Sequence, residues 1–86
     1  MTRLELMQVW EDAIKNNTAY ICLMIRKSGA APEITVVPAQ NFTRKRRYIL
    51  KAFDENLINN RDAGLVIEEA WPMSHAGVEY ILPEGD

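Results

Sequence analysis

The chain is poor in the residues that build metal centres, disulfides and phosphate-binding loops. Its 86 residues contain one cysteine, one histidine, four glycines and four prolines. A structural zinc site needs several cysteine or histidine ligands, and a lone cysteine cannot form an internal disulfide. The glycines are isolated from one another, so the sequence contains no glycine-rich phosphate loop. We therefore expect no metal ion and no cofactor.

Long apolar runs and convergent catalytic groups are also lacking. No segment approaches the roughly 20 apolar residues of a membrane span, and the first residues contain no apolar stretch of signal-peptide length. We therefore expect a cytoplasmic protein that does not enter a membrane. Ser74 and His75 are neighbours in a predicted loop, and Glu68 and Glu69 alternate along a predicted strand. Neither pair converges as catalytic groups must, so the sequence predicts a protein that is not an enzyme.

The residues that are present predict one small domain spanning residues 1–86, since 48% of them are hydrophobic. Thr2 and Glu5 have the spacing of a helix capping box. Apolar residues then recur at helical intervals, and Asn16 and Asn17 mark the expected end of this first helix. The apolar positions of this pattern are Leu6, Met7, Trp10, Ala13 and Ile14.

Four further segments read as strands, and one more reads as a helix. The apolar run 19–25 predicts a central strand, and turn residues separate it from a second strand at 33–37. A second helix is predicted over 41–58, and strands are predicted at 64–71 and 78–82 with a loop at 72–77. The order α-β-β-α-β-β favours a two-layer α+β fold, with an antiparallel sheet and two helices on one face.

The second predicted helix carries the strongest charge feature. Residues 42–53, FTRKRRYILKAF, contain five positive charges and no negative one, although the whole chain has a net charge of −2. On a helical wheel, Arg44, Arg47 and Lys51 form a stripe opposite the apolar arc. Arg46 falls on the apolar arc, so either its stem extends to water or its guanidinium pairs with a carboxylate such as Glu69. The apolar arc consists of Phe42, Ile49, Phe53 and Leu57.

The basic stripe is open to two interpretations. Arg44, Lys45, Arg47 and Lys51 are candidates for contacts with nucleic-acid phosphates, each of which releases a counterion. Outside positions 43–51, however, five basic residues face twelve acids, and this net charge of −7 repels a polyanion. The other interpretation is a solvated face or a patch for an acidic protein partner.

The C-terminal third holds the candidates for a protein contact, because Trp, Met and Tyr are frequent binding anchors. For Trp71 the alternative is a place in the core. Because a chain this short has a modest core, a homodimer is a further alternative. The candidate residues for the protein contact are Trp71, Met73, His75 and Tyr80.

Several elements in the first two thirds of the chain form a recognisable pattern. They are WEDAIK at residues 10–15, the apolar strand, Pro32-Glu33-Ile34, Asn41-Phe42, Tyr48, Ala52-Phe53 and Leu57. This pattern resembles a group of small proteins of unknown function that are encoded by phages and prophages of Gram-positive bacteria. The sequence departs from that group by its predicted hairpin around Trp71 and by its more basic RKRR run.

The resemblance implies a compact α+β accessory protein of the bacterial cytoplasm, and it assigns no functional residue. Together with the absence of catalytic groups, it leads to the hypothesis of a non-enzymatic protein-interaction module that binds or inhibits a host protein. The alternative is a nucleic-acid accessory protein that uses the basic stripe. A small-molecule pocket between the helices and the sheet is a third option, which no residue spacing supports.

Overall fold

The computed structural model describes residues 1–74, which form two α-helices and a three-stranded antiparallel sheet. The elements follow the order α-β-β-α-β, so the predicted α+β class and the antiparallel sheet are confirmed. The predicted strand 78–82 lies outside the described residues. The helices are α1 (Arg3–Lys15) and α2 (Phe42–Ala52), and a short 3-10 helix, Ala39–Asn41, precedes α2; the strands are β1 (Tyr20–Arg26), β2 (Glu33–Pro38) and β3 (Val66–Met73).

Helix α1 begins and ends as its sequence predicts. The Thr2 hydroxyl accepts a hydrogen bond from the Glu5 amide at 3.2 Å, and the Glu5 carboxylate accepts one from the Thr2 amide at 2.8 Å. This bond from the Thr2 amide lowers the pKa of Glu5 because it favours the charged carboxylate. At the other end Asn17 adopts a left-handed conformation with φ of 52°. The Thr18 amide then reaches the Ala13 carbonyl at 2.9 Å, which ends the helix with a Schellman motif.

Strand β1 lies in the centre of the sheet, in the order β2-β1-β3. This position explains why its consecutive residues Ile21, Cys22 and Leu23 are all buried. Ile21 and Leu23 point towards the helices and belong to the main core. Cys22 points to the other face, because side chains alternate along a strand.

The core lies between the helices and one face of the sheet. Trp10 is fully buried, and its indole Nε1 donates a hydrogen bond to the Phe42 carbonyl at 2.9 Å. The predicted apolar arc is also buried, which confirms the orientation of α2. The core side chains from both helices, the sheet and the following turn are Leu6, Trp10, Ala13, Ile21, Leu23, Val37, Phe42, Ile49, Phe53, Leu57 and Ile67.

Helix α2 is shorter than predicted, and residues 53–58 form a turn instead of its last turns. Asp54 causes this difference: its Oδ1 accepts hydrogen bonds from the Asn56 amide at 2.8 Å and the Ile58 amide at 3.0 Å. A short acidic side chain that binds nearby amides competes with the helix for the same donors. Asn60 completes the end by donating from its amide to the Ala52 carbonyl and from its side chain to the Lys51 carbonyl.

Strand β3 also differs from the prediction, since it extends through Pro72, which was expected to begin a loop. Pro72 lies opposite Ile21 in the ladder. Among the described strands β3 is at an edge, where a residue without an amide proton is tolerated. Within residues 1–74, neither helix has the length and the apolar character that crossing a membrane requires.

We predict that Asp54→Ala destabilises the protein by about 2 kcal/mol, because two backbone amides lose their acceptor at roughly 1 kcal/mol each. Urea unfolding followed by circular dichroism measures the change. Glu55→Ala is the matched control, since Glu55 is exposed in the same turn and we expect it to change the free energy of unfolding by less than about 0.5 kcal/mol. Equal effects of the two substitutions would contradict the role given to Asp54.

Candidate functional site

The outer surface of α2 is cationic, as the sequence predicts. Arg44, Arg47 and Lys51 are exposed, and none of them forms an ion pair with a described residue. The ion pairs within residues 1–74 lie elsewhere, around the β1–β2 hairpin and β3. They join Arg26 to Glu68 at 3.0 Å and Lys27 to Glu33 at 2.9 Å. The positive charges of Arg44, Arg47 and Lys51 are therefore not neutralised by carboxylates of residues 1–74.

An exposed aromatic side chain accompanies these cations. Tyr48 is 51% exposed, and the Lys45 ammonium lies 5.5 Å from the centre of its ring. The Tyr48 ring also packs edge-on against Phe53, with 6.4 Å between ring centres. Burial of Phe53 thus holds Tyr48 at the surface in a fixed position, where Lys45 lies over it.

The Arg46 side chain reaches solvent, which agrees with the first of its two predicted arrangements, in which its stem extends to water. Its side chain is exposed, and its Nε lies 3.3 Å from the Met7 sulfur on α1. No ion pair joins it to Glu69 or to another described carboxylate. The residue therefore marks the junction between the two helices, with its charge in water.

A groove follows this junction, and we call it the α1–α2 groove. It consists of two adjoining depressions of about 520 and 370 Å³ that share Leu50. The first also contains Leu4 and Met7 of α1, and the second contains Ile14. Leu4 is 83% exposed and Ile14 is 54% exposed, so the groove presents apolar surface to solvent.

The α1–α2 groove is the feature that the sequence interpretation missed. Ile14 was assigned to the apolar pattern of α1, but the structure places it outside the core. Leu4 lies one residue before the capping-box glutamate and did not enter that pattern at all. A useful signal was available in the wheel of α1: both residues lie on the side of the buried arc that carries Met7, at about 100° per residue.

Two of the predicted protein-contact residues, Trp71 and Met73, lie on β3, and both are half-buried. Trp71 is paired with Cys22, so its side chain lies on the sheet face opposite the helices. Met73 is close by, with its sulfur 3.9 Å from the Cys22 sulfur. His75 and Tyr80 lie outside the described residues. The structure therefore separates the Trp71 surface from the cations of α2 by the thickness of the sheet and the core.

The described part of the chain offers few groups for metal binding or for thiol chemistry. Residues 1–74 contain no group of His, Cys, Asp or Glu that could hold a metal ion. The Cys22 side chain is buried, and this desolvation raises the pKa of its thiol because burial disfavours the thiolate. Cys22 therefore behaves as a small apolar residue.

Comparison with known proteins yields no match to any protein-family model, curated protein or solved structure. The resemblance to phage-encoded proteins accordingly stays a prediction, and the functional argument depends on the surfaces described above.

We predict that Cys22 in the folded protein resists modification by a thiol-specific disulfide reagent at neutral pH. The reason is that Cys22 is fully buried and its thiol has a raised pKa. The absorbance of the released thiolate measures the rate, and the same chain in denaturant serves as the control because it should react fully within the mixing time. Rapid modification of the folded chain would contradict the burial of this face of β1.

Proposed function

We propose that this chain is a non-enzymatic interaction module that binds another protein. The accessory role in the cytoplasm that the phage resemblance implies is part of this proposal. Its support is structural: exposed large apolar side chains lie on the helical side of the molecule, as do Arg44, Arg47 and Lys51, which form no ion pair with a carboxylate of residues 1–74.

The single observation that carries the proposal is the position of the exposed apolar residues. Within residues 1–74 the large hydrophobic side chains that are exposed are Met1, Leu4, Ile14 and Tyr48. The last three lie on α1 and α2, and Ile14 shares its depression with Arg46 and Arg47 of α2. Protein interfaces are enriched in arginine, tyrosine and apolar anchors that are exposed before binding. A helix face that is only solvated does not require exposed apolar side chains next to arginine and tyrosine.

The assignment to a binding protein, as opposed to an enzyme, is supported by the causes of the two pKa shifts found among residues 1–74. Glu5 is shifted by its capping hydrogen bonds and Cys22 by burial, and both causes are structural. Catalytic sites instead gather shifted groups in one cleft. The α1–α2 groove contains Glu55, Arg46 and Arg47 as charged residues besides Arg3, whose guanidinium donates to the Leu50 carbonyl.

The second candidate is a nucleic-acid accessory protein, and the geometry around Tyr48 favours it. An exposed aromatic ring next to Lys45 and Arg44 offers a stacking surface with nearby phosphate ligands. The chain as a whole opposes this reading, because twelve acids outnumber ten basic residues. We therefore rank protein binding first.

We predict that the double substitution Arg44→Glu and Arg47→Glu weakens binding to the protein partner about tenfold or more, which corresponds to about 1.4 kcal/mol. The partner is first recovered with the tagged chain from its native host, identified by mass spectrometry and expressed separately. Isothermal titration calorimetry with the two purified proteins then gives the affinity. An acidic partner opposite α2 is the physical reason for the loss.

The matched control for this experiment is Lys15→Glu with Arg61→Glu, which changes the net charge equally at exposed positions outside the cationic face of α2. We expect this control to retain the affinity within about twofold. Equal losses in both double variants would mean that only net charge matters. A recovered protein that does not bind directly in calorimetry would argue against the proposed function.

The nucleic-acid alternative makes its own prediction. Three phosphate contacts from α2 would give weak binding, with a slope of about −2.7 in the logarithm of affinity against the logarithm of salt concentration. Mobility shift with duplex and single-stranded oligonucleotides at low and moderate salt tests it. Retention at low salt that the Arg44→Glu and Arg47→Glu variant abolishes would support the alternative. No retention at either salt concentration would remove it.

A further inference from the structure

We propose that the α1–α2 groove binds an amphipathic helix of the partner protein whose polar border is acidic. This inference rests on the proposed function and names the surface and the chemistry that the partner must supply.

The length and the composition of the groove suit a helix. Leu4 and Ile14 are ten residues apart on α1, which is about 15 Å along the helix axis. A partner helix of about three turns covers this distance, and its apolar residues at helical spacing can contact Leu4, Met7, Leu50 and Ile14 in turn. Met7 and Leu50 are half-buried and form the floor, whereas Leu4 and Ile14 project as the exposed ends.

The walls of the groove are held in place before any partner binds. The Trp10 indole donates to the Phe42 carbonyl beneath one end, and the Arg3 guanidinium donates to the Leu50 carbonyl near the other. Both bonds join α1 directly to the backbone of α2. A preformed apolar groove costs less ordering entropy on binding than one that must open.

The charges on the border determine which helix fits. Arg46 and Arg47 lie beside the Ile14 end, and neither forms an ion pair with a described carboxylate. Glu55 lies beside the Leu4 end together with Arg3, so the charges at that end offset each other. A helix with acidic residues near Arg46 and Arg47 matches the end that carries net positive charge. Because the two ends differ in net charge, the groove also favours one direction of the bound helix.

Nucleic acid and a second copy of this chain fit the groove less well. A polyanion is attracted to Arg44 and Lys51 on the outer face, but it gains nothing from Leu4 and Ile14. A second copy that placed its own α2 against the groove would bring Arg44, Arg47 and Lys51 towards Arg46 and Arg47, and like charges repel. We therefore propose a different protein as the occupant, and the experiment distinguishes it from nucleic acid and from a second copy of this chain.

The probe is a fluorescein-labelled, helix-stabilised peptide of about four turns, with leucines at helical spacing and glutamates bordering one half of the leucine stripe. Its fluorescence anisotropy is titrated with the full chain, and two-dimensional NMR maps the contacted residues. We expect saturable binding below about 1 mM, with shift changes centred on Met7, Ile14 and Leu50. The control peptides are a scramble of the same composition and a version with lysine in place of glutamate.

The protein variants are Leu4→Ser with Ile14→Ser for the groove and Gln8→Ser with Gln40→Ser as the matched control, because all four side chains are exposed and neither glutamine lines the groove. We expect the groove variant to weaken peptide binding at least fivefold, and the control to bind like the original chain. Arg46→Glu with Arg47→Glu should weaken the acidic peptide and strengthen the lysine version. Equal binding of the scramble, or shift changes centred on Tyr48 and Lys51, would overturn the inference.

The remaining outcomes separate this inference from the proposed function. If the calorimetry partner binds the groove variant as tightly as the original chain, the groove assignment is wrong and the interaction function stands. If light scattering shows a dimer that the groove variant dissociates, a second copy is the occupant and the inference is again overturned. Loss of both the partner and the peptide on the same Leu4 and Ile14 substitutions supports the inference and the function together.

Discussion

The buried indole of Trp10 is the contact on which the rest of the helical layer depends. Its ring packs against Phe42 at 6.0 Å between centres, and its Nε1 donates to the Phe42 carbonyl. A buried indole nitrogen without an acceptor costs several kcal/mol, so the bond permits only a narrow range of positions for the start of α2. That start fixes the rotation of α2, which then turns Ile49 inward and Arg44, Arg47 and Lys51 to solvent. The cationic face and the α1–α2 groove are therefore consequences of one anchored contact in the core.

The β1–β2 hairpin and the outer face of α2 differ in whether their cations form ion pairs with described residues. Around the β1–β2 hairpin, Arg26 and Lys27 each have a carboxylate partner within 3.0 Å. On α2, Arg44, Arg47 and Lys51 have none among residues 1–74. Positive charge near the start of a helix is also unfavourable for the helix dipole, by roughly 0.3 to 1 kcal/mol per exposed charge. This cost applies to Arg44 in the first turn of α2, whereas Lys51 lies in the last turn, where positive charge is favourable.

Local features of the chain were predictable where they depend on residues close in sequence. The capping box of Thr2 and Glu5, the asparagines after α1 and the apolar run of β1 specify their elements by short-range chemistry, and the structure confirms all three. The end of α2 was not predictable in the same way, because it depends on Asp54 turning back to later amides and on Asn60 capping from eight residues beyond Ala52.

The candidate site also has one part that the sequence predicts and one part that it does not. The stripe of Arg44, Arg47 and Lys51 follows from helical periodicity alone, so the sequence predicts it. The groove does not, because it exists only where α1 meets α2, and that angle is set by Trp10 and by the Arg3 bond to Leu50. A pattern can show that Leu4 and Ile14 share a side of one helix, but it cannot show that this side is left uncovered.

Leu57 gives the turn after α2 an unusual constraint. It is fully buried, yet its φ of 58° lies in the left-handed region that a bulky side chain disfavours. The backbone strain costs about 1 kcal/mol or more, and burial of the side chain offsets it with about 2 kcal/mol. Glycine at this position would relieve the backbone but leave a hole, and asparagine would suit the backbone but bring an amide into the core. The backbone and the core thus favour different side chains at residue 57, so neither substitution satisfies both.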